Sequence, residues 1–134
     1  GKRVLGGNTL SEEGYFVEPT VFKDIKPGAR LEQEEIFGPV LSIIKAKDYD
    51  HALEIANDTD YGLTGGVFTK DQLKIDRAKK EFHVGNLYFN RKITGSLVGI
   101  QPFGGFNMSG TDTKAGSKDY LLFFQQAQSI TQKF

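Results

Sequence analysis

Residues 67–90 read VFTKDQLKIDRAKKEFHVGNLYFN, and the fold follows from how this stretch changes its period. Val67 and Phe68 favour a short extended segment. Asp71 stands where a helix would open, with Ile75, Ala78 and Phe82 on one face and Lys74, Lys79, Lys80 and Glu81 mostly on the other. Gly85 stops that helix, and Asn86-Leu87-Tyr88-Phe89-Asn90 returns to an extended pattern. A strand, a helix and a strand joined by short connections form a βαβ unit, and its strands run parallel because the helix carries the chain back to its starting edge.

The alternation continues toward the N-terminus. Asp48 can cap a helix whose apolar positions Tyr49, Ala52, Leu53 and Ala56 recur at i, i+3, i+4 and i+7, and Asn57-Asp58-Thr59-Asp60 ends it. Before it lie an expected strand at 40–46, a turn of helix at 29–34 and the break Lys26-Pro27-Gly28. Residues 15–22 are aromatic and β-branched, but Pro19 removes a ladder donor, so this is an edge strand or an interrupted one. A turn at 11–14 and a short strand at Val4-Leu5 complete that side. Toward the C-terminus both periods are lost. Residues 91–110 form a long glycine-bearing loop, of a kind that is usually functional or supported by a partner. Ser117 can cap a short helix at 118–122, and Ser129-Ile130-Thr131 reads as a terminal strand. The expected fold is α/β: a mostly parallel sheet with flanking helices, plus a C-terminal strand.

Composition excludes several function classes. With 134 residues the chain fits one core, and 17 Lys+Arg balance 17 Asp+Glu without a like-charge block, which argues against nucleic acid as a partner. No cysteine is present, so disulfides, thiolate metal sites and a thiol nucleophile are excluded within these residues. No apolar run reaches the length of a membrane span. The opening Gly1-Lys2-Arg3-Val4-Leu5-Gly6-Gly7 enters a strand in midstream, which leads us to expect a piece of a longer polypeptide, a shortened small protein being the alternative.

The candidate site residues begin at Glu34-Glu35-Ile36-Phe37-Gly38-Pro39-Val40. Two carboxylates precede an aromatic ring and a Gly-Pro turn at the mouth of an apolar strand. A carboxylate there can accept hydrogen bonds from two neighbouring hydroxyls, as on a ribose, while Phe37 offers a flat face to a ring; the other reading is a solvated loop. The glycines of Pro102-Phe103-Gly104-Gly105-Phe106-Asn107-Met108-Ser109-Gly110 do not make a phosphate loop, because no Lys-Ser/Thr pair follows them. His51 and His83 read as surface histidines. Asp58 and Asp60 end a helix and lack a third ligand at useful spacing, so no metal is expected.

The order and spacing of several blocks carry a resemblance. Residues 14–22, 34–40, Asn57 with Tyr61-Gly62-Leu63, 67–71 and 102–110 together resemble the C-terminal third of an NAD-dependent aldehyde dehydrogenase. The run from Met108 to Asp112 and from Lys114 to Leu121 is similar to the branch of that family that oxidises L-glutamate 5-semialdehyde to L-glutamate in proline and arginine degradation. The resemblance implies that residues 1–122 belong to the catalytic domain and 123–134 to a tail with an oligomerisation strand. It implies Glu35 at the hydroxyls of the nicotinamide ribose and Phe37 beside that ribose. It further implies Phe103 at the aldehyde pocket, or else as a core aromatic holding its loop. Gly116 and Ser117 would hold the substrate carboxylate through backbone N–H groups, an ordinary helix cap being the other reading.

The family also needs a cysteine nucleophile, a carboxylate that activates water and a dinucleotide-binding fold, and it places all three before this segment. The resemblance therefore implies NAD held mainly by upstream segments, a small-molecule aldehyde as substrate, and no catalytic residue or activity in these residues alone. It also implies a homo-oligomer joined through Ser129–Gln132 and a home in the cytoplasm or the mitochondrial matrix. The competing reading is a free-standing α/β module that binds nucleotide or assembles without catalysis.

Overall fold

The structure, a computed structural model, describes residues 1–10, 14–110 and 114–134. The turn expected at 11–14 and the resemblance at Thr111 and Asp112 thus fall wholly or partly outside the described residues. The chain divides into two compact units, Gly1–Thr59 and Asp60–Phe134.

In the first unit β1 (Lys2–Leu5) pairs antiparallel with β4 (Thr20–Lys23), which pairs parallel with β5 (Val40–Ser42); β2 (Thr9–Leu10) and β3 (Phe16–Val17) form a separate antiparallel pair. Pro19 explains the division at 15–22. Having no N–H to donate, it ends the β2 pairing, and the chain enters the three-stranded sheet one residue later. β4 is the central strand of that sheet, so the stretch is interrupted and only its first part lies on an edge. The strand expected at 40–46 is shorter. β4 leaves the ladder after Lys23 because Asp24 turns left-handed at φ 55°, which removes the neighbour that residues beyond Ile43 would need.

Helix α1 (Arg30–Gln33) lies between β4 and β5, and α2 (Tyr49–Asn57) follows β5. The Asp48 side chain accepts the His51 N–H at 2.8 Å, and His51 Nδ1 accepts the Lys47 N–H at 3.1 Å. The Asp48 cap thus satisfies one of the unsatisfied N–H groups at the helix start, a contribution of about 1 kcal/mol, while His51 reaches back to the residue before the cap. His51 is a capping residue. Ile25, Leu53 and Thr20 are the buried positions among the described residues of this unit.

The second unit contains β6 (Tyr61–Gly62), β7 (Thr64–Val67), α3 (Gln72–Glu81), β8 (Asn86–Phe89), β9 (Phe106–Asn107) and a 3-10 helix at Asp119–Phe124. β7 and β8 pair in parallel through four positions from Thr64↔Asn86 to Val67↔Phe89, joined by α3, so the βαβ unit forms as expected. Its first strand begins three residues before Val67, where Gly65 and Gly66 allow close approach. A Cβ on Gly65 would meet the Phe82 ring at 2.6 Å. Asp71 caps α3 by accepting from Leu73 N–H at 2.9 Å, and Ala78 is fully buried beneath the helix. Tyr88 is buried on β8 with its hydroxyl 2.7 Å from Ser96 Oγ, while the Arg91 guanidinium lies over its ring at 4.9 Å.

The long loop at 91–110 is not structureless, since β9 returns to pair antiparallel with β6. Among the described residues two pairings are parallel and three antiparallel, so the sheets are small and mixed within an α/β arrangement. Residues 125–134 carry no regular structure. Ser129-Ile130-Thr131, expected as a strand, lacks a ladder in this single chain, and a strand needs a neighbour to satisfy its backbone.

Candidate functional site

The site residues named from the sequence lie in two loops, one in each unit. In the first, Glu34 and Glu35 part company. Glu34 closes α1, and both its carboxylate oxygens accept from Arg30 Nε at 2.8 Å. That bond and the Glu34 charge raise the Arg30 pKa above its ordinary value. Glu35 is exposed, and its carboxylate has no partner among the described residues. Of the two acids, Glu35 is the one left able to accept from a ligand.

Phe37 sits in the left-handed region at φ 53° with 91% of its surface exposed. A bulky residue there costs on the order of 1–2 kcal/mol relative to a right-handed backbone. The strain is held by its flanks. Val40 N–H donates to Gly38 O at 2.8 Å, and Thr20 N–H donates to Pro39 O at 2.8 Å. Upstream, Ser42 Oγ donates to Leu31 O at 3.0 Å and Gln33 Nε2 to Asp58 O at 2.5 Å, which fixes the helix from which Glu35 emerges. A strained, exposed aromatic beside an unpaired carboxylate is an arrangement that folding alone does not favour, and such outliers cluster at ligand sites.

The second loop is knit by backbone contact. A Cβ on Gly85 would collide with the Gly104 carbonyl, one on Gly110 with the Gly105 backbone, and one on Gly105 would lie 2.9 Å from Gly62 O. Phe103 exchanges both backbone bonds with Ala115 at 2.9 Å and is 41% exposed, so it neither leaves the loop nor fills a core. The Lys114 ammonium donates to Gly85 O, holding the return of the loop against the start of β8.

Gly116 follows directly, left-handed at φ 73°, with its carbonyl accepting from Gly99 N–H at 2.8 Å. The Ser117 hydroxyl donates to Lys114 O at 2.8 Å and accepts from Tyr120 N–H at 3.2 Å, so the side chain is a cap for the 3-10 turn. The N–H groups of Gly116 and Ser117 make no hydrogen bond to another described residue. The cap and the carboxylate readings therefore use different atoms of Ser117 and are compatible.

Sequence reasoning overlooked Asn86, read only as a strand residue. Its Nδ2 donates to Pro102 O at 3.0 Å and its Oδ1 accepts from Gly104 N–H at 3.2 Å, gripping the loop on both sides of Phe103. Asparagine is depleted in strands, and its place at the head of β8 is the signal that could have found it. Among the described residues no group of three or more His, Asp or Glu could hold a metal ion, and no helix is long and apolar enough to cross a membrane.

The model of the aldehyde dehydrogenase family matches residues 1–130. Over its whole length the chain is 58% identical to a 1-pyrroline-5-carboxylate dehydrogenase of Geobacillus sp. (strain WCH70) and 59% identical to one of Bacillus subtilis (strain 168), covering 26% of each. Among solved structures, 1-pyrroline-5-carboxylate dehydrogenase from Thermus with bound NAD matches with a TM-score of 0.89 and 63% identity, over 92% of this chain and 24% of that one. An NAD-dependent aldehyde dehydrogenase from Sinorhizobium meliloti matches with a TM-score of 0.77 and 33% identity, over 84% and 22%. The chain spans about a quarter of the length of these relatives.

Proposed function

Because this chain belongs to the aldehyde dehydrogenase family, we propose that it supplies one wall of the cofactor site and one wall of the aldehyde site in a longer NAD-dependent enzyme. The aldehyde is L-glutamate 5-semialdehyde, the open form of 1-pyrroline-5-carboxylate, and the product is L-glutamate. The names of the relatives support the substrate, and the NAD-bound Thermus structure supports the cofactor.

The observation that carries the reading is the pairing of an unengaged Glu35 carboxylate with the exposed, strained Phe37 ring two residues later. These groups fit a ribose: two hydroxyls can donate to one carboxylate, and an apolar ring can cover the sugar edge. NAD supplies the acceptor for hydride. Glu35 and Phe37 orient the nicotinamide end, Phe103 excludes water from the reacting carbon, and the Gly116 and Ser117 N–H groups take the substrate carboxylate. Exposed Val4, Leu5 and Leu41 on the three-stranded sheet, and Ile43 just beyond it, support burial against further protein, and we assign residues 1–122 to the catalytic domain. Residues 123–134 form the tail, in which Ser129–Gln132 take up a strand only beside another subunit.

Glu35→Gln in the full-length enzyme tests the reading. Losing a charge-assisted pair of bonds, about 1.5–3 kcal/mol, should slow single-turnover hydride transfer roughly ten- to a hundredfold. Unchanged cofactor affinity together with an unchanged hydride rate would remove Glu35 from the site. The chain by itself, having no cysteine, should reduce no NAD with any aldehyde, and turnover without further polypeptide would contradict the assignment.

A further inference from the structure

We propose that Asn86 is a positioning residue that sets substrate selectivity, by locking the carboxylate-binding backbone at Gly116-Ser117 to the head of β8; this rests on the substrate reading above. Three observations build the connection. The Asn86 side chain spans the loop, donating to Pro102 O at 3.0 Å and accepting from Gly104 N–H at 3.2 Å, so the residues on either side of Phe103 are held by one rigid amide. Phe103 in turn exchanges both backbone bonds with Ala115 at 2.9 Å, and Ala115 is the residue before Gly116. Asn86 itself is fixed, because its N–H donates to Leu63 O at 3.1 Å and it opens the parallel β7–β8 ladder opposite Thr64.

Position along this chain of bonds determines which substrates feel the lock. An anion held by two backbone N–H groups depends on their direction, and hydrogen bonds weaken steeply as the angle closes. An aromatic wall tolerates a shift of the same size, since dispersion contacts are many and non-directional. The Gly99 N–H to Gly116 O bond at 2.8 Å is a second tether, so loss of the Asn86 grip should loosen the carboxylate site without dissolving it. Asn86 touches neither substrate nor cofactor in this scheme. It acts through the loop.

The test uses the full-length enzyme with glutamate semialdehyde and with propanal, an uncharged aldehyde. Asn86→Ala should raise KM for glutamate semialdehyde about tenfold, leave KM for propanal within about threefold, and change kcat on either by less than about threefold. Asn86→Asp is the second variant. It keeps the acceptor for Gly104 N–H but turns the donor facing Pro102 O into a repelling lone pair, and it should show the same split. Gly116→Val, which alters the proposed carboxylate site itself, is the reference. If Gly116→Val is selective against the anionic substrate while the Asn86 variants affect both aldehydes equally or neither, the selectivity role of Asn86 is overturned and the substrate reading stands. If Gly116→Val is itself unselective, the carboxylate site is overturned and the proposal falls with it. Failure of both Asn86 variants to fold would make Asn86 a folding element and overturn the proposal as well.

Discussion

The two loops present their residues by opposite means. At 34–40 the chain is thinly supported. Between Glu35 and Pro39 two backbone bonds hold it, the Glu35 carboxylate has no partner among the described residues, and Phe37 is kept left-handed and exposed. At 102–110 and 114–117 the chain is packed backbone against backbone, with Gly105 and Gly110 where a Cβ would collide and with Asn86 and Lys114 binding the loop to the head of β8. The difference suits what each loop is proposed to hold. A single carboxylate and a ring can adjust to a sugar by rotating side chains, whereas a pair of backbone N–H groups can be aimed only by fixing the backbone that carries them.

The sharpest way to break this comparison is to place a methyl in the first loop and one against the second. Gly85→Ala should cost about 3 kcal/mol of stability in urea denaturation, because the new Cβ meets the Gly104 carbonyl and backbone must move. A cost below about 1 kcal/mol would show that the second loop is not packed through its backbone. Phe37→Gly should act with the opposite sign. Relief of the left-handed strain, about 1–2 kcal/mol, exceeds the added entropy of glycine in the unfolded chain, so the variant should be stabilised by under about 1 kcal/mol while hydride transfer slows. Gly38→Ala should fall within about 0.5 kcal/mol of the parent, since the nearest atom to a Cβ there is 3.9 Å away and its φ is not left-handed.

A fourth measurement serves as a control on α3, outside both loops. Hydrogen bonds from Lys79 and Gln72 hold the Asp76 carboxyl below its ordinary pKa. A depressed pKa in the folded state stabilises above the unfolded pKa and is lost as pH falls through the folded one. The difference in denaturation midpoint between parent and Asp76→Asn should therefore be small at neutral pH and should vanish as pH falls below the lowered folded-state value. A difference that grows on acidification would contradict that sign.

What could be read in the sequence was the local chemistry. Asp48 and Asp71 cap their helices as expected, because a cap needs only a short acceptor and the next three N–H groups. Pro19 interrupts its strand for a similarly local reason. The length of β5 was not legible, since it is set by Asp24 turning away on the neighbouring strand. In the candidate site the residue types at 35 and 37 could be read as a ligand pair, but the left-handed turn of Phe37 and the capture of Glu34 by Arg30 could not. The glycines of 102–110 announced a loop; that their partners are Gly62 and Gly85 depends on atoms distant in the chain.

That distance bears on the order in which the second unit forms. The Thr69 to Asn90 bond joins residues 21 apart, whereas the Gly62 to Ser109 bond joins residues 47 apart. Roughly doubling the closed segment adds only about 0.6 kcal/mol of entropy, so length alone slows the second closure by about threefold. The larger constraint is sequence of events, because the glycine contacts exist only once β8 offers Gly85 as a surface. The parallel pair should nucleate and the loop should dock afterwards, and in the native state the loop should open first. Hydrogen exchange should then find the amides of Gly104 and Ala115 released while those of β7 and β8 are still protected, which would make arrival and departure at the proposed carboxylate site a local opening that spares the strands beneath it.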